Sequence, residues 1–153
     1  MALKFDVRDE KKIRVIIDTD AACEADDPFA IAHALMSPKL MVKGITAAHF
    51  AEQGSVEKSL EEIKVVLKAM NKDVPAYLGE AGPMDKEGKE LSEAVHFIID
   101  EAKREDNHPL YILCQGAVTN VAVALRACPD IKDKITVIWI VTHGVGNVEA
   151  PFV

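Results

Sequence analysis

Apolar residues along the chain fall into short β-branched runs that alternate with longer segments of helical spacing. The runs predict five strands, at Arg14–Asp18, Leu40–Ala48, Val74–Leu78, Leu110–Cys114 and Ile135–Val141. The segments between them predict four helices, at Pro28–Met36, Ser55–Met70, Ser92–Arg104 and Thr119–Ala127. Strands that alternate with helices need crossover connections. We therefore expect an α/β fold with an open, mostly parallel, Rossmann-like sheet and helices on both faces.

The pattern predicts a single α/β domain over residues 1–153. The chain has 153 residues, of which 49% are hydrophobic, and this is enough for one core and too little for two. We find no internal repeat, low-complexity tract or linker in it.

Charge and cysteine content exclude several classes of partner. The net charge of -7 disfavours binding to nucleic acid or to an anionic membrane surface, because both need a basic patch. No uncharged apolar stretch reaches the roughly 18 residues of a membrane-spanning helix. Three cysteines without zinc spacing, behind a charged and not apolar start, indicate free thiols and a cytoplasmic protein.

Ligands of parallel α/β sheets bind beyond the carboxyl ends of the strands. The ends predicted here carry Asp18 and Asp20, His49, Gln115, and Thr142 with His143. We expect these side chains to lie along one edge of the sheet.

The loop after the first strand is unusually acidic. Residues 18–27 hold five acids in ten positions. Crowded carboxylates raise one another's pKa unless a positive group lies among them, and carboxylate oxygens suit Ca²⁺ or Mg²⁺ better than zinc. The loop therefore predicts a site for a hard divalent cation. For each acid alone, the alternative is an ordinary helix cap (Asp26 or Asp27) or a turn residue (Asp18 or Asp20), although capping needs only one oxygen.

Two segments resemble the inosine–uridine-preferring nucleoside hydrolases. Asp18-Thr19-Asp20 with Asp26-Asp27 resembles that family's DTDPGxDD motif, and the segment GAVTNVAVAL at 116–125 resembles its GPLTNxAxAL segment. The motifs have the same order and a similar spacing, so the resemblance covers about residues 13–141. We expect a divergent member that corresponds to the amino-terminal part of a longer family fold.

The resemblance implies calcium-dependent hydrolysis of the N-glycosidic bond of ribonucleosides, as in purine and pyrimidine salvage, with Mg²⁺ the less favoured ion. It implies that Asp20 is the catalytic base and a metal ligand, and that Asp27 is a second, bidentate metal ligand. It further implies that the main-chain carbonyl of Gln115 is another metal ligand and that Asp26 binds the ribose hydroxyls. Carboxylates beside the sugar would stabilise the oxocarbenium-like transition state of this reaction.

The match departs from the family pattern in the acidic loop, after the second strand and in chain length. Five residues, 21–25, separate Asp20 from the Asp26-Asp27 pair, where the family has three. The family's Asn after the second strand falls near His49, which we predict to contact the sugar or base, with a solvated loop position as the alternative. The resemblance also implies that Asp18 and Asn120 support the loop and the turn.

The family's chains are about twice as long as this one, by resemblance. The expected ligand is a ribonucleoside or ribose-like small molecule, but no base preference is predicted because base contacts would come from the second half. We expect little or no hydrolase activity from these residues alone. A homo-oligomer is expected, because a half-fold with an exposed sheet edge tends to pair.

Two other functions compete with the hydrolase. One is a non-catalytic binding or assembly module that keeps the same fold. The other is a Mg²⁺-dependent phosphatase like the haloacid dehalogenases, which also open with a hydrophobic strand and an Asp-x-Asp motif, but Ala22 stands where those enzymes have Thr or Val.

Overall fold

The computed structural model describes residues 7–50, 52–84 and 90–140. Five strands lie in them: β1 (Ile13–Thr19), β2 (Leu40–Ala47), β3 (Ala76–Tyr77), β4 (Leu110–Cys114) and β5 (Ile135–Trp139). Four α-helices connect the strands: α1 (Asp26–Met36), α2 (Ser55–Ala69), α3 (Glu93–Lys103) and α4 (Thr119–Ala127). Short 3₁₀ turns lie at Asp9–Lys11 and Pro129–Ile131.

All strand pairs are parallel, in the order β3-β2-β1-β4-β5. The first strand, β1, is central. Strands β2 and β3 lie on one side of it, and β4 and β5 lie on the other. The register pairs Asp18 with Thr46 on β2 and with Cys114 on β4. The carboxyl end of β1 is therefore the point at which the strand order reverses, where α/β sheets bind ligands. The open, parallel sheet predicted from the sequence is confirmed.

Two layers of helices cover the sheet because successive side chains of β1 point to opposite faces. Val15 and Ile17 belong to the core that α1 and α2 cover, and Ile16 belongs to the core beneath α3 and α4. All three side chains are fully buried. A central strand that is apolar on both faces is typical of a parallel sheet, and the helices on both faces were predicted correctly.

Two predicted boundaries differ from the structure for a physical reason. Helix α1 begins at Asp26 and not at Pro28, so Asp26 and Asp27 are its first helical residues and the interpretation of either as a cap is wrong. Acidic side chains and proline are both stable in a first helical turn, whose N–H groups have no helical acceptor. Strand β3 is shortened to Ala76–Tyr77, and at its amino end Pro75 has no N–H to donate to the ladder.

Strand β5 forms the edge of the described sheet. It ends at Trp139, and the predicted end at Val141 lies outside the described residues, as do Thr142 and His143. Four apolar residues in its carboxyl half and directly after it are at least 39% exposed: Val137, Ile138, Trp139 and Ile140. Both faces of β5 are therefore uncovered in the described part of the chain.

A buried ion pair lies at the opposite end of the sheet, near the amino ends of the strands. The Arg14 guanidinium on β1 donates to Glu101 Oε1 on α3 at 3.1 Å, and both side chains are at most 4% exposed. Arg14 also donates to the carbonyls of Glu101 and His108. This pair fixes α3 to the sheet far from the carboxyl edge.

In the described part of the chain, no helix is both long and apolar enough to span a membrane.

Candidate functional site

A cleft of about 930 Å³ opens above the carboxyl ends of β1, β2, β4 and β5. All the site residues predicted from the sequence line it: Asp20, Asp26, Asp27, His49 and Gln115. They come from three different strand ends, and the sheet topology brings them together. Their chemical roles stay predictions.

Asp18 lies beneath the cleft and not in it. Its side chain is fully buried, and its Oδ1 accepts hydrogen bonds from Thr46 Oγ1 at 2.6 Å and from Asn120 Nδ2 at 2.8 Å. Its Oδ2 has no hydrogen-bond partner among the described residues. Burial raises the pKa of Asp18 to about 6, against these two hydrogen bonds, which lower it. The position suits a support for the loop, as the resemblance implied.

Asn120 joins the segments that surround the cleft floor. Besides Asp18, its Nδ2 donates to the Ala47 carbonyl at 2.9 Å, and its Oδ1 accepts from the Glu80 backbone N–H at 2.8 Å. The side chain is 1% exposed. One amide on α4 thus fixes the ends of β1 and β2 and the segment after β3.

The carboxyl groups of Asp20 and Asp27 meet in the cleft. The Asp20 carboxylate lies directly against Gly116, where a Cβ atom would overlap it. Asp27, in the first turn of α1, is only 6% exposed, and the hydrogen bond between the two side chains joins them. Burial raises the pKa of Asp27, and the hydrogen bond and negative charge of Asp20 raise it further. In the ion-free protein, Asp27 therefore holds its proton to a higher pH than an ordinary aspartate does.

Gln115 and Asp26 both line the cleft, but their side chains differ in solvent exposure. The Gln115 backbone N–H donates to the Asp18 carbonyl at 2.8 Å, and the side-chain Oε1 is buried without a hydrogen-bond partner among the described residues. Asp26 is exposed at the start of α1. Gln115 therefore carries an unsatisfied acceptor, while Asp26 is free to contact a polar ligand.

His49 is held by a tertiary contact. Its Nε2 lies 2.9 Å from Thr119 Oγ1 at the start of α4. The next residue, Phe50, exchanges backbone hydrogen bonds with the Ser55 hydroxyl, with Phe50 N–H donating at 3.0 Å and the hydroxyl donating to the carbonyl at 2.9 Å. The segment after β2 is thus fixed at both residues, and the solvated-loop alternative for His49 does not describe it.

The donor set of the cleft fits a hard divalent cation. The Asp27 carboxyl group with its raised pKa, the adjacent Asp20 carboxyl group and the buried acceptor on Gln115 offer oxygen ligands of the kind that Ca²⁺ prefers, and Gly116 allows Asp20 to approach closely. Within residues 7–50, 52–84 and 90–140, no group of three or more His, Cys, Asp or Glu side chains is placed to hold a metal ion. A cation bound here would therefore need main-chain or amide oxygens, or further residues, beside Asp20 and Asp27.

Sequence reasoning missed two residues of the site. Thr46 was not singled out, although it lies opposite Asp18 in the strand register. Trp139 was seen only as a strand residue, yet its indole Nε1 donates to the Gly116 carbonyl at 2.9 Å and its side chain lines the cleft. Periodicity gives no signal for either contact, because both depend on which strands become neighbours.

Comparison with known proteins identifies the family. The family model described as inosine-uridine preferring nucleoside hydrolase matches residues 15–151. The chain is similar to a curated relative, the pyrimidine-specific ribonucleoside hydrolase RihA of Escherichia coli O9:H4 (strain HS). The two are 30% identical in an alignment 158 residues long, gaps included, which covers 87% of this chain and 50% of the relative. The chain thus spans about half the length of the curated relatives it matches, which agrees with the expected half of a longer fold.

Solved structures show the same fold. An inosine-guanosine nucleoside hydrolase aligns with a TM-score of 0.68 and 26% identity, over 84% of this chain and 47% of its own. A purine-preferring ribonucleoside hydrolase from Gardnerella vaginalis aligns with a TM-score of 0.68 and 24% identity, over 82% and 48% respectively. The phosphatase alternative is not favoured by these findings. The acidic loop, the Gly116 turn and the family match together lead to one conclusion: the chain belongs to the inosine-uridine preferring nucleoside hydrolase family.

Proposed function

We propose that this chain provides the sugar-binding, acidic side of a calcium-dependent hydrolase that cleaves the N-glycosidic bond of ribonucleosides. The observation that carries the proposal is the pair of carboxyl groups of Asp20 and Asp27, which meet against Gly116 in the cleft. Asp27 is buried beside the Asp20 carboxyl group, and two acids placed together are costly for the fold unless a proton or a cation lies between them. This placement of Asp20 and Asp27 therefore favours a role in cation binding over a role in stabilising the fold.

Three residues would hold the ion: Asp20, Asp27 and Gln115, the last through an oxygen of its backbone or side chain. When bound, the cation supplies charge that lowers the pKa of a water molecule and orients the ribose hydroxyls. Asp20 would accept the proton of the attacking water, because it is less buried than Asp27, which is only 6% exposed. The negative side chains around the sugar stabilise the positive charge that develops on it as the base leaves.

Asp26 and His49 would position the sugar. Asp26 is exposed at the amino end of α1, and its carboxylate can accept hydrogen bonds from ribose hydroxyls. His49 also lines the cleft, and the contact with Thr119 fixes the orientation of its ring. Two contacts to the sugar would favour attack in one geometry.

Hydrolysis by these residues alone is expected to be slow or absent. The relatives are about twice as long, and the described cleft is open beside β5, where water can screen the charges that the reaction uses. We therefore expect this chain to bind calcium and sugar even if it does not hydrolyse nucleosides.

Calorimetry and a ribose-release assay test the proposal together. Calcium is titrated into metal-free protein, and inosine and uridine are incubated with protein in calcium or in a chelator. We expect calcium binding that Asp20→Asn and Asp27→Asn each abolish, and any ribose release to require both calcium and Asp20. Absence of calcium binding at millimolar concentration would contradict the proposal. Calcium binding without ribose release, even after addition of the second half of a longer relative, would favour the non-catalytic module.

A further inference from the structure

A histidine joins two distant segments at the amino end of the sheet, which faces away from the cleft. His108 lies just before β4, and its ring is placed between Asp106 of the same loop and Asp9 of the first 3₁₀ turn. Its Nδ1 is 2.8 Å from Asp106 Oδ1. Its Nε2 is 3.1 Å from the Asp9 carbonyl oxygen and 3.3 Å from Asp9 Oδ2. The ring therefore connects positions that are 99 residues apart in the sequence.

Both ring nitrogens of His108 face oxygen acceptors. A neutral imidazole has one N–H group and one lone pair, so it would leave one nitrogen lone pair against an oxygen atom. The imidazolium has two N–H groups and can donate to Asp106 and to Asp9 at the same time. The full set of contacts therefore forms only when the ring carries its second proton.

The two acids strengthen the hold of the ring on that proton. The hydrogen bond with Asp106 raises the pKa of His108 above its ordinary value of about 6.5, and desolvation opposes this only in part. The hydrogen bond and the charge of Asp9 raise this pKa further. Hydrogen bonds from the His108 backbone and ring lower the pKa of Asp106, so this acid stays charged.

Positive groups also face this cluster, but acids compensate most of their charge. The charged groups that the segment before β1, β1 itself and α3 present to it are Asp9, Lys12, Arg14, Glu101 and Arg104. Arg14 lies 3.8 Å from Asp106 Oδ2, yet its guanidinium is paired with the buried Glu101, as is that of Arg104. Lys12 lies 3.3 Å from the other oxygen of Asp9. The negative charge beside the ring is thus not cancelled by these cations.

The first 3₁₀ turn depends on polar contacts for its place on the protein. No side chain of Asp9–Lys11 is buried, so apolar packing does not hold the turn. Its own backbone hydrogen bonds stay within residues 8–12, and the chain is next fixed where the Ile13 N–H donates to the Lys39 carbonyl. Among the described residues, His108 is the distant group that hydrogen-bonds to the turn.

We propose that His108 is a pH-sensitive clamp, whose protonated ring holds the first 3₁₀ turn against the loop before β4 and whose neutral ring releases it. The stability that the clamp contributes is fully present below the ordinary pKa of histidine. It is lost as pH rises through the raised pKa of the folded state. Neither calcium nor sugar takes part, so the inference stands or fails independently of the proposed function.

Histidine NMR on the 153-residue protein measures the titration directly. The ring signals of His108 are assigned by their absence in His108→Gln. We expect a titration midpoint above about 6.5 in the parent, and a lower midpoint in Asp106→Asn, because the amide carries no charge. A midpoint that Asp106→Asn leaves unchanged would overturn the inference.

Hydrogen exchange of the Lys11 and Lys12 amides shows whether the turn opens. Each rate is divided into the intrinsic rate at the same pH to give a protection factor. In the parent this factor should fall by about 2- to 5-fold as pH rises through the His108 midpoint, a modest change because partly exposed ion pairs are weak. His108→Gln should have the lower protection at every pH.

His33→Gln makes the same substitution at an exposed position of α1 and is the matched control. It should keep the pH-dependent step of the parent, and circular dichroism confirms that each variant is folded. Protection of the turn that is constant with pH in the parent would contradict the clamp. The same would follow from a step that persists in His108→Gln, because another group would then control the turn.

Discussion

The side-chain amide of Asn120 donates a hydrogen bond to Asp18 Oδ1 at 2.8 Å, although 102 positions separate the two residues in the sequence. The same amide group binds the Ala47 carbonyl and the Glu80 N–H, so it satisfies polar groups on three other segments. The floor of the cleft therefore depends on one buried side chain.

Asn120→Ala should lower the free energy of unfolding by at least about 2 kcal/mol, because it leaves several buried polar groups without partners. Urea unfolding followed by circular dichroism measures this change. Asn107→Ala, at an exposed loop position, is the matched control and should stay within about 0.5 kcal/mol of the parent. Equal stability of the two variants would show that Asn120 does not fix the cleft floor.

The sequence alone predicted this architecture well, since the bounds of β4 and α4 match the structure at both ends. Alternation of strands and helices is a local signal, and it was enough to give a parallel sheet. It also placed Asp20, His49 and Gln115 at one edge, because all parallel strands end on the same side.

What the sequence could not give was contact between side chains of distant segments. The hydrogen bond between His49 and Thr119 and the contact of Asp20 with Gly116 depend on the strand order, which places β1 beside β4. The start of α1 was misplaced because Pro28 is compatible with several positions of a first turn, so it fixes the helix start only to within a few residues.

Gly116→Ala should weaken calcium binding strongly, since its Cβ would overlap the Asp20 carboxylate. We expect at least a tenfold loss of affinity by calorimetry, which corresponds to about 1.4 kcal/mol. Gly82→Ala also lines the cleft but meets no atom within 4 Å, so it should bind calcium normally. If both variants bind calcium equally well, the close approach of Asp20 to this turn has no part in the site.

Asp27→Asn should change the pH dependence of stability in a chelator. The pKa of Asp27 is raised, so the folded protein holds its proton more tightly than the unfolded chain does. Stability of the parent should therefore fall as pH rises from about 4, the ordinary pKa of Asp, to the raised pKa of the folded state. The variant should lose this part of the decline, measured by thermal unfolding across that range.

The same pair predicts how calcium responds to pH. Calcium should stabilise the parent more as pH rises through that window, because the ion displaces the proton that Asp27 holds. Asp27→Asn should lose the stabilisation, whereas Asp26→Asn, at an exposed position, should retain most of it. A calcium shift that survives in Asp27→Asn would remove this residue from the proposed ligands.

Thr119→Val should reduce affinity for ribose by about 2- to 10-fold, because it removes the hydroxyl that orients His49. Equilibrium dialysis with labelled ribose measures the effect. Thr136→Val, exposed on β5, gives the same chemical change away from the cleft and should have none. Unaltered ribose binding in both proteins would mean that His49 does not contact the sugar.

The uncovered β5 strand predicts self-association. Exposed apolar residues on an edge strand favour pairing with another chain, so we expect the apparent mass to rise with concentration in sedimentation velocity. Ile138→Lys should reduce this rise, while Val65→Lys, at an exposed apolar position on α2, should not. A monomer at all concentrations would contradict the expected homo-oligomer.

The ion pair of Arg14 and Glu101 lies at the end of the sheet that faces away from the cleft. Breaking such a buried pair typically costs about 3–5 kcal/mol, so its two members have little freedom to vary. The segment after β1 is exposed at residues 22–26 and carries no such pair. The length and sequence of this loop can therefore change at one end of the sheet while the Arg14–Glu101 pair stabilises the other.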